Sequence, residues 1–299
     1  MIKPGFAATL CMIVLIGLLW GLNWPAVKFM LTEVSPLTLR AASFTAGAIA
    51  LTCIAAGMGQ RLIPTRSEVR PLIVTSLFIL FGFNMLTVLG QLFTPASKAA
   101  IIAYSMPAMT AALSVAFLGE VLDMRRVLAI CVGLAGLGIL ASADLPALVA
   151  APLGPVIMLG AALSWAIGNI LMQVQNWTLP PLARSAWIFI ISAALAWPLV
   201  AVFEPTTEAP ALSAAVLWTF AFHVCGPMVA CYVMWTVLLG RLSATVAAIS
   251  TLIAPVVGVL SSVVLLSEPL TWQTTVALLL IVGSIAMTLL RPISKHLIP

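Results

Sequence analysis

Long apolar segments, each ended by glycine, proline or a charged residue, recur along the whole chain. A helix that crosses a membrane takes about 20 predominantly apolar residues, and most of these segments reach or exceed that length. The first half predicts helices over 6–30, 37–58, 71–93, 96–118 and 126–142. The second half predicts helices over 155–176, 181–203, 212–239, 243–266 and 271–290. The pattern therefore predicts an all-α integral membrane protein with ten transmembrane helices, although the short connection after 118 also allows a re-entrant segment.

The composition excludes a soluble protein. Of 299 residues, 63% are hydrophobic and 7% are charged, whereas a soluble domain is about 45–50% apolar and about 25% charged. No hydrophilic stretch is long enough for a separate domain outside the membrane. This argues against a receptor, a channel with a soluble gate, or an enzyme with a soluble catalytic head. The five cysteines have no CxxC spacing and are interpreted as small core residues.

The basic residues predict the orientation of the chain in its membrane. Cytoplasmic loops carry an excess of lysine and arginine, so the net charge of +5 is attributed to the loops and to no nucleic-acid partner. With both termini in the cytoplasm, the inner side receives Lys3, Arg61, Arg66, Arg70, Arg125, Arg126, Arg184, Arg241, Arg291 and Lys295. The outer side receives only Lys28, Arg40 and Lys98. Both termini are therefore predicted to be cytoplasmic.

The chain repeats itself at a fixed offset. Segment 94–120 aligns without a gap on 242–268, and the alignment pairs Pro107 with Pro255 and Glu120 with Glu268. Earlier in each half Trp20 pairs with Trp165, and Arg40 pairs with Arg184 after a one-residue gap. The repeat divides the chain into two five-helix units, 1–145 and 146–299. Because five is odd, the second unit enters the membrane in the opposite sense, as in inverted-repeat transporters.

Three segments carry a resemblance to a known family. They are AIIAYSMPAMTAALSVAFLGE, its repeat AAISTLIAPVVGVLSSVVLLSEPLTW, and LLWGLNWPAVK in the first helix. Together they resemble the EamA family of the drug/metabolite transporter superfamily, and within it the bacterial exporters of aromatic and other neutral amino acids. The resemblance implies ten crossings, cytoplasmic termini, and a central cavity lined mainly by helices 1, 3, 4, 6, 8 and 9. Val121 stands where the second repeat has Pro269, so the turn after Glu120 departs from the pattern.

Polar side chains inside the predicted helices are candidates for the transport pathway, because such groups are costly in a membrane unless they face a cavity or a partner. Several share one helix face through spacings of three and four residues. The alternatives are that the indoles anchor the helices at the membrane interface and that the amides hold helices together. The candidate substrate-binding residues are Trp20, Asn23, Trp24, Asn84, Gln91, Tyr104, Trp165, Asn169, Gln173, His223, Tyr232, Trp235, Ser250 and Thr251.

Prolines within four predicted helices are candidate hinges. Proline removes a hydrogen bond to the carbonyl four residues earlier, and broken turns near the midplane hold substrate or bend during alternating access in inverted-repeat transporters. Bending is the favoured interpretation and substrate contact is the alternative. The four positions are Pro25, Pro107, Pro227 and Pro255.

The positions of the charges set expectations about energetics and substrate. All eight acids lie in loops or at predicted helix ends, which favours uniport and leaves His223 as either a packing residue or a proton carrier. Phosphorylated substrates favour clustered lysine or arginine, and the predicted core offers at most Lys28 and Lys98. No nucleophile motif, P-loop or metal cluster is present. The prediction is an exporter of neutral or aromatic amino acids that works as a monomer in the bilayer, without enzyme activity, cofactor or metal. The alternative is an exporter of another small metabolite or drug in the same superfamily, with or without proton coupling.

Overall fold

The computed structural model describes residues 4–93, 99, 102–142, 152–204, 212–266 and 272–289. Helices make up the regular structure of these residues, and no strand occurs among them. The first half contains α1 (Pro4–Met30), α2 (Pro36–Gly57), α3 (Arg66–Phe93), α4 (Met106–Leu118) and α5 (Met124–Ser142). The second half contains α6 (Leu153–Val174), α7 (Pro181–Phe203), α8 (Ala214–Leu239), α9 (Ala244–Ser250), α10 (Ile253–Leu266) and α11 (Trp272–Leu289). The prediction of an all-helical membrane protein is confirmed.

Six helices in the described part of the chain are long and apolar enough to cross a membrane. They are α1, α2, α3, α6, α7 and α8, whose apolar spans have 22 to 28 residues. The remaining predicted crossings are shorter or divided. α4 has 13 residues and begins at Met106, after a turn at Tyr104 and Ser105. The predicted helix 243–266 is split at Thr251 and Leu252 into α9 and α10. The count of ten crossings therefore stays a prediction.

Proline accounts for the two divided helices. Pro107 occupies the first turn of α4, and Pro255 is the third residue of α10. Proline lacks the amide hydrogen that an interior helical position requires, but the first turn tolerates it. Each helix therefore restarts at its proline.

Two π-helical turns interrupt α3 and α8. They cover Leu77–Gly82 and Val224–Ala230, and residues 77–82 shifted by the repeat offset fall on 225–230. Only the second contains a proline, Pro227, so proline is not their common cause. A donor from a helix of the other half satisfies a carbonyl in each: the Ser164 hydroxyl donates to the Phe78 carbonyl (2.8 Å), and the Trp20 indole donates to the Pro227 carbonyl (3.1 Å).

Helices at equivalent positions in the two halves pack against equivalent partners. α1 packs against α10 and α8, whereas its counterpart α6 packs against α4 and α3. α2 packs against its own counterpart α7, and α5 packs against α11. This pattern is what a duplicated five-helix unit predicts. The unit boundary near residue 145 and the inversion of the second unit stay predictions.

Carboxylates fasten the ends of the α2–α7 pair. Glu204 at the end of α7 accepts hydrogen bonds from the backbone amides of Leu37 (2.9 Å) and Thr38 (2.8 Å) at the start of α2. At the opposite end, Glu68 accepts from the amides of Thr178 (2.7 Å) and Leu179 (2.9 Å), just before α7. Amides at a helix start lack partners within the helix and favour a negative charge. The first contact brings the end of α7 to the start of α2, and the second brings the start of α3 to the start of α7.

A third carboxylate joins the α1–α2 connection to α8. Glu33 accepts hydrogen bonds from the backbone amide (2.8 Å) and hydroxyl (2.7 Å) of Ser213. These two bonds, the backbone one first, lower the pKa of Glu33 because they stabilise the ionised carboxylate. The Ser213 hydroxyl also accepts from the Val216 amide at the first turn of α8. The α1–α2 connection and the start of α8 are thus held together at one end of the molecule.

Gly168 permits the closest approach between α6 and the π-helical turn of α3. A Cβ atom at this position would lie 2.6 Å from the Cα and Cβ atoms of Ile79, which is far inside van der Waals contact. The two backbones can meet there only because residue 168 has no side chain.

We predict that Gly168→Ala lowers the stability of the protein by about 1–3 kcal/mol, because the added methyl group forces the two helices apart. The measurement is the midpoint of thermal unfolding of the detergent-purified protein. Gly138→Ala is the matched control, since a Cβ there meets nothing within 4 Å and alanine improves helix propensity. Equal midpoints for the two variants would contradict the close approach.

Candidate functional site

A cavity lies between the helices of the two halves. The centres of water-sized molecules can occupy about 60 Å³ of it. Its residues on α1 to α4 lie in the half of the bundle that contains the α1–α2 connection. The lining consists of Trp20, Asn23, Trp24, Val27, Arg40, Phe83, Asn84, Thr87, Gln91, Tyr104, Met106, Trp165, Pro227, Met228, Tyr232 and Thr251.

Four aromatic rings pack together in the lining of this cavity. Trp20 meets Trp165 edge to face, with ring centroids 5.3 Å apart and planes at 83°. Tyr232 lies 5.9 Å from each of these two rings, and Phe83 lies 4.9 Å from Trp165. Such pairs contribute about 0.5–1.5 kcal/mol each beyond the area that they bury. We call Trp20, Phe83, Trp165 and Tyr232 the aromatic floor.

Hydrogen bonds fix two of the amide side chains in the cavity wall. Asn84 donates to the hydroxyl of Tyr232 and to the backbone carbonyl of Leu80, both at 2.9 Å. The Asn23 oxygen lies 2.6 Å from Nδ1 of His223. With that oxygen as the acceptor, Nδ1 carries the proton. Both amides are therefore held at set angles before any solute enters.

The wall away from the aromatic floor contains Trp24, Tyr104 and Gln91. The Trp24 indole donates to the Tyr104 hydroxyl at 3.4 Å, which joins α1 to the turn before α4. The ammonium of Lys28 lies 3.5 Å from the backbone carbonyl of Gln91. Lys28 itself is exposed at the end of α1, and Lys98 lies outside the described residues.

The structure brings part of the predicted site together around the cavity. The predicted residues in the lining are Trp20, Asn23, Trp24, Asn84, Gln91, Tyr104, Trp165, Tyr232 and Thr251, together with the candidate hinge Pro227. The predicted residues outside the lining are Asn169, Gln173, His223, Trp235 and Ser250. Pro25 lies inside the uninterrupted α1, and Pro107 and Pro255 begin helices as described above. The functional roles of all these residues stay predictions.

The predicted residues outside the lining have partners within the protein. The Trp235 indole donates to the Asn169 side-chain oxygen at 3.0 Å. The Gln173 amide donates to the carbonyls of Leu239 (3.1 Å) and Leu242 (3.0 Å), at the connection between α8 and α9. Ser250 donates to the carbonyl of Val246. These bonds match the packing alternative for such residues.

Arg40 is a cavity residue that sequence reasoning missed. It is only 2% exposed and lies in the lining, and its Nε and Nη1 atoms have no hydrogen-bond partner. Burying an unpaired charge costs several kcal/mol, so an unused guanidinium is an expensive feature. The expectation that the core offers no cations beyond Lys28 and Lys98 is therefore wrong. The available signal was an arginine within a predicted span, as the fourth residue of 37–58, which the orientation rule had counted as a charge near the outer side.

The carboxylates in the described part of the chain all lie away from the cavity. Besides Glu33, Glu68 and Glu204, Glu120 accepts from Arg126 (2.7 Å) and Thr245 (3.1 Å). Asp123 accepts from the amide of Arg126. Among the described residues, no group of histidine, cysteine or acidic side chains could hold a metal ion. Asp144, Glu208 and Glu268 lie outside the described residues.

A model of the EamA-like transporter family matches residues 7–142 and again 152–290. The chain belongs to the EamA-like transporter family. With its membrane-spanning helices, this makes the protein a multi-pass membrane transporter and argues against an enzyme. The family resemblance stated from the sequence is confirmed.

Several curated proteins are similar to the chain over most of its length. The uncharacterized transporter YoaV of Bacillus subtilis is 24% identical, and the match covers 92% of this chain and 94% of that protein. A probable amino-acid metabolite efflux pump of Salmonella typhimurium is 28% identical, and the match covers 94% of this chain and 93% of that protein. A protein of known crystal structure is 21% identical to the chain and superposes with a TM-score of 0.77. The match covers 94% of this chain and 96% of that protein. That structure supports the fold alone.

We predict that a cysteine in the cavity wall reacts with a small charged methanethiosulfonate reagent, whereas a cysteine behind the aromatic floor does not. Thr87→Cys and Thr236→Cys form a matched pair, because both threonines are 4% exposed and bond to the carbonyl four residues earlier. Only Thr87 lines the cavity. Labelling of the purified protein is measured by mass against the parent with its natural cysteines. Equal labelling at the two positions would show that the floor does not separate them.

Proposed function

We propose that the protein exports amino acids with neutral or aromatic side chains across the bacterial cytoplasmic membrane. The observation that carries the proposal is the central cavity, which combines fixed amide groups with an aromatic floor. A zwitterion needs hydrogen-bonding groups for its charged ends, and an aromatic or apolar side chain gains by contact with rings. Two relatives named as probable amino-acid metabolite efflux pumps, from Salmonella typhimurium and Escherichia coli, support the substrate class.

Alternating access is the mechanism that suits this architecture. We propose ten crossings as two inverted units, 1–145 and 146–299, with both termini in the cytoplasm. Two observations support the duplication: the family model matches the chain twice, and helices at equivalent positions in the two halves pack against equivalent partners. In this orientation the cavity belongs to the outer half of the membrane, and the aromatic floor blocks the inner half. The relative named as an inner membrane transporter in Escherichia coli supports the location.

The helix interruptions supply the parts that move. α3 and α8 contain π-helical turns beside the cavity, and α4 and the α9–α10 pair begin or break next to it. At such turns the backbone can bend because its hydrogen bonds are already irregular. We propose that Pro107, Pro227 and Pro255 mark these bending points, with Pro25 as a further one in α1. Because one chain lines the whole cavity, a monomer suffices.

Uniport is the proposed mode of energy use. A transporter that exchanges protons through the membrane usually needs a titratable carboxylate in the pathway, and none of the described residues that line this cavity is a carboxylate. His223 is buried behind Asn23 and lies outside the lining. The substrate gradient alone then drives transport.

We predict that Asn23→Ala lowers the rate of amino-acid exchange about five- to tenfold, the effect of one lost hydrogen bond of roughly 1 kcal/mol or slightly more. The assay is counterflow of the twenty amino acids into proteoliposomes that contain the purified protein. Asn176→Ala is the matched control, since Asn176 is exposed beyond the end of α6. Unaltered exchange by Asn23→Ala would remove this residue from the site. Exchange of none of the twenty, with another small metabolite accepted, would refute the substrate class.

We predict that a pH gradient imposed on the proteoliposomes leaves the initial flux nearly unchanged when the substrate gradient is held constant. No proton has to cross with the substrate in uniport. The flux of radiolabelled substrate is measured with and without the gradient, and an ionophore that collapses the gradient serves as the control. Strong acceleration by the gradient would establish coupling and would make His223 the first residue to examine.

A further inference from the structure

We propose that Arg40 is the anion-binding residue of the cavity and holds the carboxylate of the transported solute. The inference rests on the proposed export of amino acids and names the group that the site recognises. If Arg40 binds the carboxylate, every substrate must carry a carboxylate, whereas the side chain can vary.

The guanidinium of Arg40 is built into the cavity without a partner. Arg40 is 2% exposed, lines the cavity, and leaves Nε and Nη1 without hydrogen bonds. A guanidinium presents a planar fork of donors that matches the two oxygens of a carboxylate. A buried fork that is unused within the protein is therefore available for an oxygen pair that arrives with a ligand.

Among the described residues around Arg40, none carries a negative charge that would neutralise it. The titratable groups that interact with it are Tyr232 and His223, and neither carries a negative charge at neutral pH. The described carboxylates are bound at helix ends and loops, as shown above. The cavity therefore presents one uncompensated positive charge and favours a solute with one negative group.

A second unpartnered atom suits the other end of a zwitterion. The Oε1 atom of Gln91 is buried in the lining and accepts no hydrogen bond. An ammonium group donates in three directions and can satisfy this oxygen. Lys28 near Gln91 is exposed and bonds to the backbone carbonyl, so solvent screens its repulsion. In this proposal the carboxylate of an α-amino acid binds Arg40, its ammonium binds Gln91, and its side chain contacts the aromatic floor.

Arg184, the repeat counterpart of Arg40, provides a matched comparison. Arg184 is also buried, at 8% exposure, but its guanidinium lies over the Trp177 ring, 5.2 Å from the centroid. It interacts electrostatically with Glu68 and does not line the cavity. The two positions therefore differ in their surroundings: Arg184 lies over a ring outside the cavity with only Nε buried and unbonded, whereas Arg40 lines the cavity with Nε and Nη1 unbonded.

The test compares two analogues that differ only at the carboxylate. Proteoliposomes with the purified full-length protein exchange radiolabelled L-phenylalanine, and unlabelled L-phenylalanine or L-phenylalaninamide competes. The amide keeps the ammonium and the ring but loses the negative charge. We expect the unmodified protein to prefer the acid by about 10- to 100-fold, the range of a charge-assisted hydrogen bond. Arg40→Gln should reduce the preference to about threefold or less, Arg40→Lys should give an intermediate value, and Arg184→Gln should keep the original ratio.

Each outcome separates the two proposals. Exchange of phenylalanine with equal inhibition by the amide would overturn the role of Arg40 and leave amino-acid export standing. Loss of the preference in Arg184→Gln as well would also overturn it, since a general structural effect would then explain the change. Failure of the unmodified protein to exchange any amino acid would refute the proposed function. In that case, thermal stabilisation by 3-phenylpropionate but not by 3-phenylpropanamide, lost in Arg40→Gln, would still support the anion site, and equal effects of the two would overturn it.

The comparison does not depend on the folding of one variant. The acid-to-amide preference is measured first on the unmodified protein, where its absence already decides against the proposal. Arg40→Gln removes an unpaired buried charge, so we expect its unfolding midpoint to be no lower than that of the unmodified protein. Arg40→Lys retains the charge without the fork. Its intermediate ratio distinguishes recognition of a carboxylate from simple attraction of negative charge.

Discussion

Hydrocarbon offers no hydrogen-bond partners, and this single constraint organises the structure. Backbone amides and carbonyls have to be satisfied within the protein wherever water cannot reach them. Regular helices meet the requirement by themselves, but the π-helical turns of α3 and α8 do not. Side chains of α6 and α1, Ser164 and Trp20, reach across to carbonyls in those turns. The opposite half therefore supplies a donor to each stretch of irregular backbone beside the cavity.

The same constraint explains where the charges are. The described carboxylates cap helix starts or pair with basic residues, and Glu68 and Glu204 do so at opposite ends of the α2–α7 pair. Such contacts tie the two halves together at the membrane surfaces, where water is close. The middle of the bundle relies on rings, glycine and small polar groups. A central region without carboxylates can rearrange without separating ion pairs in a low dielectric medium.

Sequence reasoning recovered much of the fold because hydrophobic length and periodicity act locally. The long helices and the candidate breaks at Pro107 and Pro255 followed from the residue pattern. The convergence of Trp20, Asn84 and Trp165 on one cavity followed from the family resemblance together with their positions inside the predicted spans. Long-range geometry was not available from it. Asn23 and Asn169 occupy similar faces of their helices, yet Asn23 lines the cavity while Asn169 bonds to Trp235. Arg40 was missed because the orientation rule counts charges near helix ends without asking whether they face water or a cavity.

The unpaired cation suggests how binding and movement are linked. A ligand shifts a conformational equilibrium only through a difference in its interactions with the two states. If the empty cavity closes around Arg40, the guanidinium loses its remaining water and gains no partner, which opposes closure. If a carboxylate occupies the cavity, the same closure strengthens the ion pair, because water no longer competes for it. On this argument the loaded transporter changes state more readily than the empty one, so exchange of solute is faster than net flux, and a cavity without solute does not open a leak.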